Sequence, residues 1–211
     1  MIELFLSAFV TLFVVIDPPG CAPIYAGLTK GATPAQSRNM ALRACGIAGL
    51  ILVVFALFGE DLLGALHIEL DSFRIAGGLM LFMIAIDMVF EKRTQRREQR
   101  AERVTAEHAG GGEIEDVSVF PMAMPMLAGP GAIASIMLLT SQAHRAGATL
   151  AVLCALAAVL LLTLLALIAA SPLMKLFGAR VEAVITRLLG VLLAALAAQY
   201  VIDGLKASFG I

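Results

Sequence analysis

Six runs of apolar residues divide the chain, at 2–28, 41–59, 70–90, 117–141, 147–170 and 183–205, and the polar residues collect between them. A helix needs about 20 predominantly apolar residues to cross the hydrocarbon core of a bilayer. Each run therefore predicts one membrane span. The first is long for a single straight helix, as expected if it tilts or breaks. Small residues four apart let helix backbones approach in lipid. They predict contact faces at Ala41, Cys45 and Gly49 on the second span and at Gly190, Ala194 and Ala198 on the sixth.

Two of the runs contain residues that a spanning helix should avoid. Asp17-Pro18-Pro19-Gly20 interrupts the first, and Gly129-Pro130-Gly131 interrupts the fourth. Proline has no N–H to donate and clashes with the preceding turn. In lipid each backbone group freed this way costs several kcal/mol unless protein or water satisfies it. A carboxylate at that depth adds about 2.5–3.5 kcal/mol on insertion scales. Interrupted helices at corresponding places in two halves are the best sequence pointer to a transporter site.

The halves correspond in more than their breaks. Pro19-Gly20 and Pro130-Gly131 lie 111 residues apart, and Arg74-Ile-Ala-Gly77 overlays Arg187-Leu-Leu-Gly190 at a separation of 113. The pattern predicts an all-α membrane protein of six transmembrane helices, a 3+3 inverted repeat with broken first and fourth helices. Three spans per half, an odd number, put the halves in opposite orientation. Residues 1–211 form a single transmembrane domain: 1–90 the first three-helix repeat, 91–116 a polar linker, 117–211 the second repeat. A rival reading makes the broken runs re-entrant hairpins and leaves four true spans; span length favours six.

Charge then orients the chain. Of its 15 Lys and Arg, all but Arg74, Arg145 and Lys206 fall on the side that carries the linker. By the positive-inside rule that side is cytoplasmic. The expected location is the cell inner (plasma) membrane, multi-pass, with both termini outside. The start, Met-Ile-Glu, lacks the basic region of a cleaved signal peptide, so the first run is expected to remain as a span. Sixty percent hydrophobic residues and a mean hydropathy of +0.94 lie above the range of soluble domains. A net charge of −1 gives no footprint for nucleic acid. Cys21, Cys45 and Cys154 are odd in number and lack metal spacing, and they read as small buried residues. The histidines, His67, His108 and His144, all fall in loops, and no HExxH motif is present. No metal site, resident cofactor or enzyme is expected.

What remains is a set of polar groups at membrane depth. Asp17 before Pro18 reads as the N-cap of a half-helix. The same carboxylate is placed to bind a coupling Na+ or H+ beside the carbonyls that end the first half-helix. Both readings stand together. The amides after Gly129-Pro130-Gly131 present the positive end of a half-helix to a solute carboxylate, with Ser135 one turn further on. The predicted solute site is Asp17, Pro18, Pro19, Gly20 and Cys21 facing Gly129, Pro130, Gly131, Ala132 and Ser135. Asp17 and Asp87 are the ion-coupling candidates, although Asp87 also reads as an interfacial carboxylate. Gln199 and Asp203 read as interface anchors, and Arg74 and Arg187 as snorkelling side chains.

The residues carry a family resemblance. Asp17-Pro-Pro-Gly-Cys-Ala-Pro23, Phe73-Arg-Ile-Ala-Gly-Gly78 through Asp87, Pro125-Met-Leu-Ala-Gly-Pro-Gly-Ala-Ile133 and Gln199-Tyr-Val-Ile-Asp-Gly204 resemble the MarC family, in order and over nearly the whole chain. The resemblance implies a six-span prokaryotic inner-membrane protein that transports small neutral amino acids, with the broken segments as its central site. Cys21 stands where members often have Asn, and Ala134 where a hydroxyl residue is common. The implied function is secondary transport with cation coupling, and its partners are the bilayer and a small-molecule substrate. The alternatives are an ion channel or exchanger with Asp17 and Asp87 along a cation path, and a non-transporting scaffold that recruits a partner through the linker.

Overall fold

The computed structural model describes residues 1–90, 116–141 and 146–210. The linker expected at 91–116 lies outside the described residues except for Asp116, as do His108, His144 and Arg145. Helices are the only regular elements among the described residues: α1 (Ile2–Ile16), α2 (Pro18–Leu28), α3 (Pro34–Ala65), α4 (Leu70–Val89), an irregular α5 (Ser118–Leu127), α6 (Pro130–Ser141), α7 (Ala146–Ile168) and α8 (Ala170–Phe209). Five segments are long and apolar enough to cross a membrane. They are Ile2–Leu28, which joins α1 and α2, then Pro34–Ala65, Leu70–Val89, Gly147–Ile168 and Ala183–Phe209; the bent pair α5–α6 makes a sixth.

Local signals explain most of the boundaries. Thr33 caps α3 by accepting from the Gln36 N–H, and the Gln36 side chain accepts from the Thr33 N–H, with Pro34 as the first helical residue. This start lies seven residues before the apolar run, so the polar first turns of α3 extend the helix past the apolar stretch. Gly210, in the left-handed region at φ 68°, ends α8 by donating to the Lys206 carbonyl. The stretch between the fifth and sixth apolar runs was expected to be a loop carrying Lys175 and Arg180, but it forms the first turns of α8, separated from α7 only by Ala169. No Pro-Gly signal stops the helix there.

The α4–α8 pair makes the most extensive contact among the described elements. It is antiparallel and seamed with glycine. A Cβ on Gly78 would lie 2.9 Å from the Ala197 carbonyl oxygen and 2.8 Å from the Val201 side chain. One on Gly190 would lie 3.2 Å from the Ala85 carbonyl oxygen and 3.1 Å from the Val89 side chain. Gly204 meets the Asp71 carbonyl and Ile75 in the same way. The buried seam of α8 is Thr186, Gly190, Leu193, Ala197, Tyr200 and Gly204, alternating steps of four and three residues as in coiled coils. The expected stripe Gly190, Ala194, Ala198 holds at Gly190 and only in part at Ala194, which packs partly buried against the core. A four-residue repeat drifts around the helix, whereas the 3.5-residue average keeps one face on α4, and Ala198 is exposed.

Side chains turned outward are as apolar as those within. Leu50, Val54 and Phe58 of α3, Phe82 and Met83 of α4, Leu161 and Leu165 of α7, and Val191 and Leu192 of α8 are all exposed. Such a surface needs hydrocarbon around it. Of the five continuous spans, the joined α1–α2 segment is the most enclosed, 56% buried against 28–39% for the other four. The first break therefore lies inside the protein and away from lipid.

Candidate functional site

α1 stops where proline replaces the next two donors. Pro18 and Pro19 cannot donate to the carbonyls of Val14 and Val15. Asp17 turns the chain at φ 59°, ψ 65°, a left-handed conformation that Asp tolerates better than most residues. There it serves both halves. Its N–H donates to the Phe13 carbonyl at 2.9 Å, closing α1, and its Oδ1 accepts from the Gly20 N–H at 3.1 Å, opening α2. The Cys21 thiol donates to the Ile16 carbonyl at 3.5 Å, which occupies an acceptor that the break exposes. Asp17 is 1% exposed. The carboxylate folds over Gly20, where a Cβ would fall 2.2 Å from Oδ2, so no larger residue fits beneath it. From α8 the Thr186 hydroxyl donates to Oδ1 at 3.5 Å. Thr186 was not a sequence candidate. Its only signal was a hydroxyl at core spacing beside the more conspicuous Arg187.

The second break is more disordered in its sequence and more bent in its geometry. Phe120 and Met124 are extended, at φ −129° each, and each precedes a proline, the position from which the proline ring expels helical geometry. Between them the turns are wide: Met122 N–H donates to Val117 at 3.3 Å and Ala128 N–H to Ala123 at 2.9 Å. A single break at Gly129-Pro130-Gly131 was expected, and the whole of α5 departs from regular helix instead. Gly129 is required because a Cβ would sit 2.4 Å from the Pro125 carbonyl oxygen. α6 then starts at Pro130, bent 54° from α5. Its first amides, at Gly131 and Ala132, have no acceptor within their own helix. Ser135, one turn on, is fully buried, and its Oγ has no hydrogen-bond partner among the described residues.

The breaks adjoin. A Cβ on Gly131 would lie 3.5 Å from Val15, two residues before Asp17, and 2.4 Å from Ile84 of α4. At that contact the last turn of α1, which leads into Asp17, meets the first turn of α6, which follows Gly129. Asp87 is half-buried on α4, one turn beyond Ile84 toward the helix end. Gln199 donates to Asp203 at 2.7 Å on an exposed face. Arg187 is exposed, whereas Arg74 has a side chain only 15% exposed and pairs with Asp71 at 3.3 Å. Cys21 and Cys45 are buried as expected; Cys154 is exposed on α7. Among the described residues no group of three or more His, Cys, Asp or Glu could hold a metal ion.

An all-helical bundle with an apolar exterior and a buried polar break defines a polytopic integral membrane protein. The chain belongs to the MarC family: the model of the MarC family integral membrane proteins matches residues 2–209. It is 34% identical over 206 residues to a UPF0056 membrane protein of Methanocaldococcus jannaschii, covering 97% of each chain. It is 33% identical over 209 residues to the UPF0056 membrane protein YvbG of Bacillus subtilis, covering 99% of this chain and 97% of that one. It is 30% identical over 204 residues, 95% of each chain, to the UPF0056 inner membrane protein YhgN of Escherichia coli. No solved structure matches the chain.

Proposed function

We infer that this protein is a secondary transporter of small neutral amino acids, coupled to Na+ or H+, with its solute held between the Asp17 and Gly131 breaks. The observation that carries the reading is the buried Asp17 carboxylate at the left-handed junction of α1 and α2. Magnitudes separate a cap from a coupling site. A helix cap contributes about 1 kcal/mol, and Asn caps as well as Asp. A carboxylate at membrane depth costs about 2.5–3.5 kcal/mol or more. Capping alone would therefore select Asn. An acid is retained if its charge or its proton is used. A bound cation would neutralise it, and protonation would make it the proton carrier.

Three further observations support an inverted repeat around this site. Pro18 and Pro130 open their half-helices 112 residues apart. Pro34 and Ala146 open α3 and α7 at the same separation. Gly78 faces Ala197 and Val201 while Gly190 faces Ala85 and Val89, and these are the same residue types at that separation. Two such halves rocking about the breaks would give alternating access. The residue charges favour a cytoplasmic linker and external termini in an inner membrane, and the named inner-membrane relative agrees with that membrane. The observed groups suit binding and translocation, and we propose no enzymatic step.

The test is uptake of labelled alanine and glycine by proteoliposomes under imposed Na+ or proton gradients. Wild type should accumulate solute with one gradient. Asp17→Asn should fold, keep its cap and lose the gradient dependence. Absent uptake by wild type, or full coupling in Asp17→Asn, would refute the reading. Gradient-driven current without any organic solute would favour an ion channel or exchanger instead.

A further inference from the structure

Ser135 differs from other hydroxyl residues of the helices. Thr29, Thr140, Ser141 and Thr163 each donate to a carbonyl three or four residues back, at 2.8–2.9 Å. That local bond is how a Ser or Thr inside a helix commonly satisfies itself. Ser135 is 0% exposed and makes no such bond; its Oγ has no hydrogen-bond partner among the described residues. The hydroxyl is therefore turned away from its own backbone. Ser135 lies one turn after Gly131 on the same face of α6, and a helical side chain leans toward the start of its helix. Contacts above and below place that face. A Cβ on Gly131 would lie 2.4–3.6 Å from Ile84, Val15 and Leu81, and one on Gly77 would lie 3.0 Å from Leu138 and 3.7 Å from Ala134. The hydroxyl thus looks along α6 toward its first turn, on the side of α1 and α4.

That first turn has donors of its own. Pro130 carries no N–H, and the Ile133 N–H donates to the Gly129 carbonyl at 3.0 Å. The Gly131 and Ala132 amides remain, at the positive end of a helix of 12 residues. A buried donor without an acceptor carries its full desolvation cost, so each such group in a folded protein calls for a partner or a use. Two N–H groups and one O–H select an oxyanion. No Lys or Arg lies between Val117 and Ser141, so the hold on a free anion is weak. The Val15–Gly131 contact brings this turn to the end of α1, two residues before Asp17. The Asp17 carboxylate repels a bare anion there and attracts an ammonium group. A carboxylate carried by a molecule with its own ammonium satisfies both.

The structure assigns Ser135 as a specificity-determining residue: its hydroxyl, with the Gly131 and Ala132 N–H groups, binds the carboxylate of the solute, while Asp17 answers the ammonium. This fixes which end of the solute faces which break. Naming the solute an amino acid rests on the transport reading above; the unmatched hydroxyl and amides do not. Without solute the hydroxyl destabilises the fold, and carboxylate binding relieves it.

Two measurements on the full chain in nanodiscs separate this role from a structural one. One is thermal unfolding without solute; the other is equilibrium binding of labelled alanine, propionate and ethylamine, the last two keeping one charge each. Ser135→Ala should raise the unfolding midpoint, because it removes an unsatisfied buried group, and should weaken alanine binding at least tenfold. Propionate binding should weaken in the same proportion and ethylamine binding should not change. Ser135→Cys, which keeps the shape and donates weakly, should fall between wild type and Ser135→Ala in both measurements. Unchanged alanine affinity in Ser135→Ala would overturn the assignment, and so would a lower midpoint, which would make the hydroxyl structural. Equal losses for ethylamine and propionate would do the same, as would wild type that binds neither alanine nor propionate. Propionate binding that depends on Ser135, without gradient-driven alanine uptake, would uphold this site and sink the transport reading; coupled uptake with alanine affinity indifferent to Ser135 would do the reverse.

Discussion

The Thr186 hydroxyl donates to Asp17 Oδ1 at 3.5 Å, across 169 residues of chain, and so joins the last helix to the first break. Both residues are at most 2% exposed. α8 is also the helix most tightly seamed to α4, so a shift of that pair is felt at the carboxylate.

That bond should be measurable. Hydrogen bonds to charged groups contribute about 1.5–3 kcal/mol, and this length favours the low end. Thr186→Val, which keeps the shape and removes the hydroxyl, should lower coupled uptake about tenfold. Thr186→Ser should restore most of it. Equal uptake by Val and Ser variants would show that the hydroxyl has no part in the site.

Gly20 offers a steric test of the same carboxylate. With a Cβ only 2.2 Å from Oδ2, Gly20→Ala must push Asp17 off its cap. Misfit of this kind costs about 1–3 kcal/mol. Gly27, in the same helix, meets nothing within 4 Å, and Gly27→Ala should be neutral or slightly stabilising. Thermal unfolding of the two variants in one detergent compares them directly.

The α4–α8 seam predicts a pair of equal effects. Gly78→Ala and Gly190→Ala each force a methyl against a backbone carbonyl, and each should cost about 1–3 kcal/mol. Gly46→Ala on α3, with open space around it, is the control. Distant, independent substitutions add to within about 0.5 kcal/mol. The double variant should therefore lose the sum, as read from unfolding midpoints.

A fourth prediction concerns acid. Arg43 of α3 pairs with Asp116, which also accepts from the Ser118 N–H at 3.0 Å where α5 begins. Hydrogen bonding from Ser118, together with the Arg43 guanidinium, holds the Asp116 carboxyl below its usual value of 3.8. A folded pKa below the unfolded one gives stability that is complete above the unfolded value and is lost as pH falls through the folded one. Unfolding between pH 6 and 2.5 should show a small contribution, about 0.2–1 kcal/mol for so exposed a pair, that fades below about pH 4. Asp116→Asn should remove it, and high salt should shrink it. An unchanged acid limb in Asp116→Asn would contradict the assignment.

The sequence alone determined the spans and the two breaks. Apolar length sets a membrane helix because lipid satisfies no backbone group, and Pro18, Pro19 and Pro130 interrupt one because they carry no donor. The resemblance to the MarC family was equally legible, since its motifs are contiguous. The structure decided what depends on contacts between distant residues. It made α5 irregular through Pro121 and Pro125 in succession and extended α8 through 171–182. It also centred the packing face of α8 on Leu193 and Ala197, leaving Ala194 at its edge and Ala198 exposed, because the partner helix selects the face. Only tertiary packing brought Thr186 to Asp17, set Gly131 beside Val15 and buried Arg74. A single apolar helix records that it crosses the bilayer, whereas its partner and its register arise from fitting side chains to another helix far along the chain.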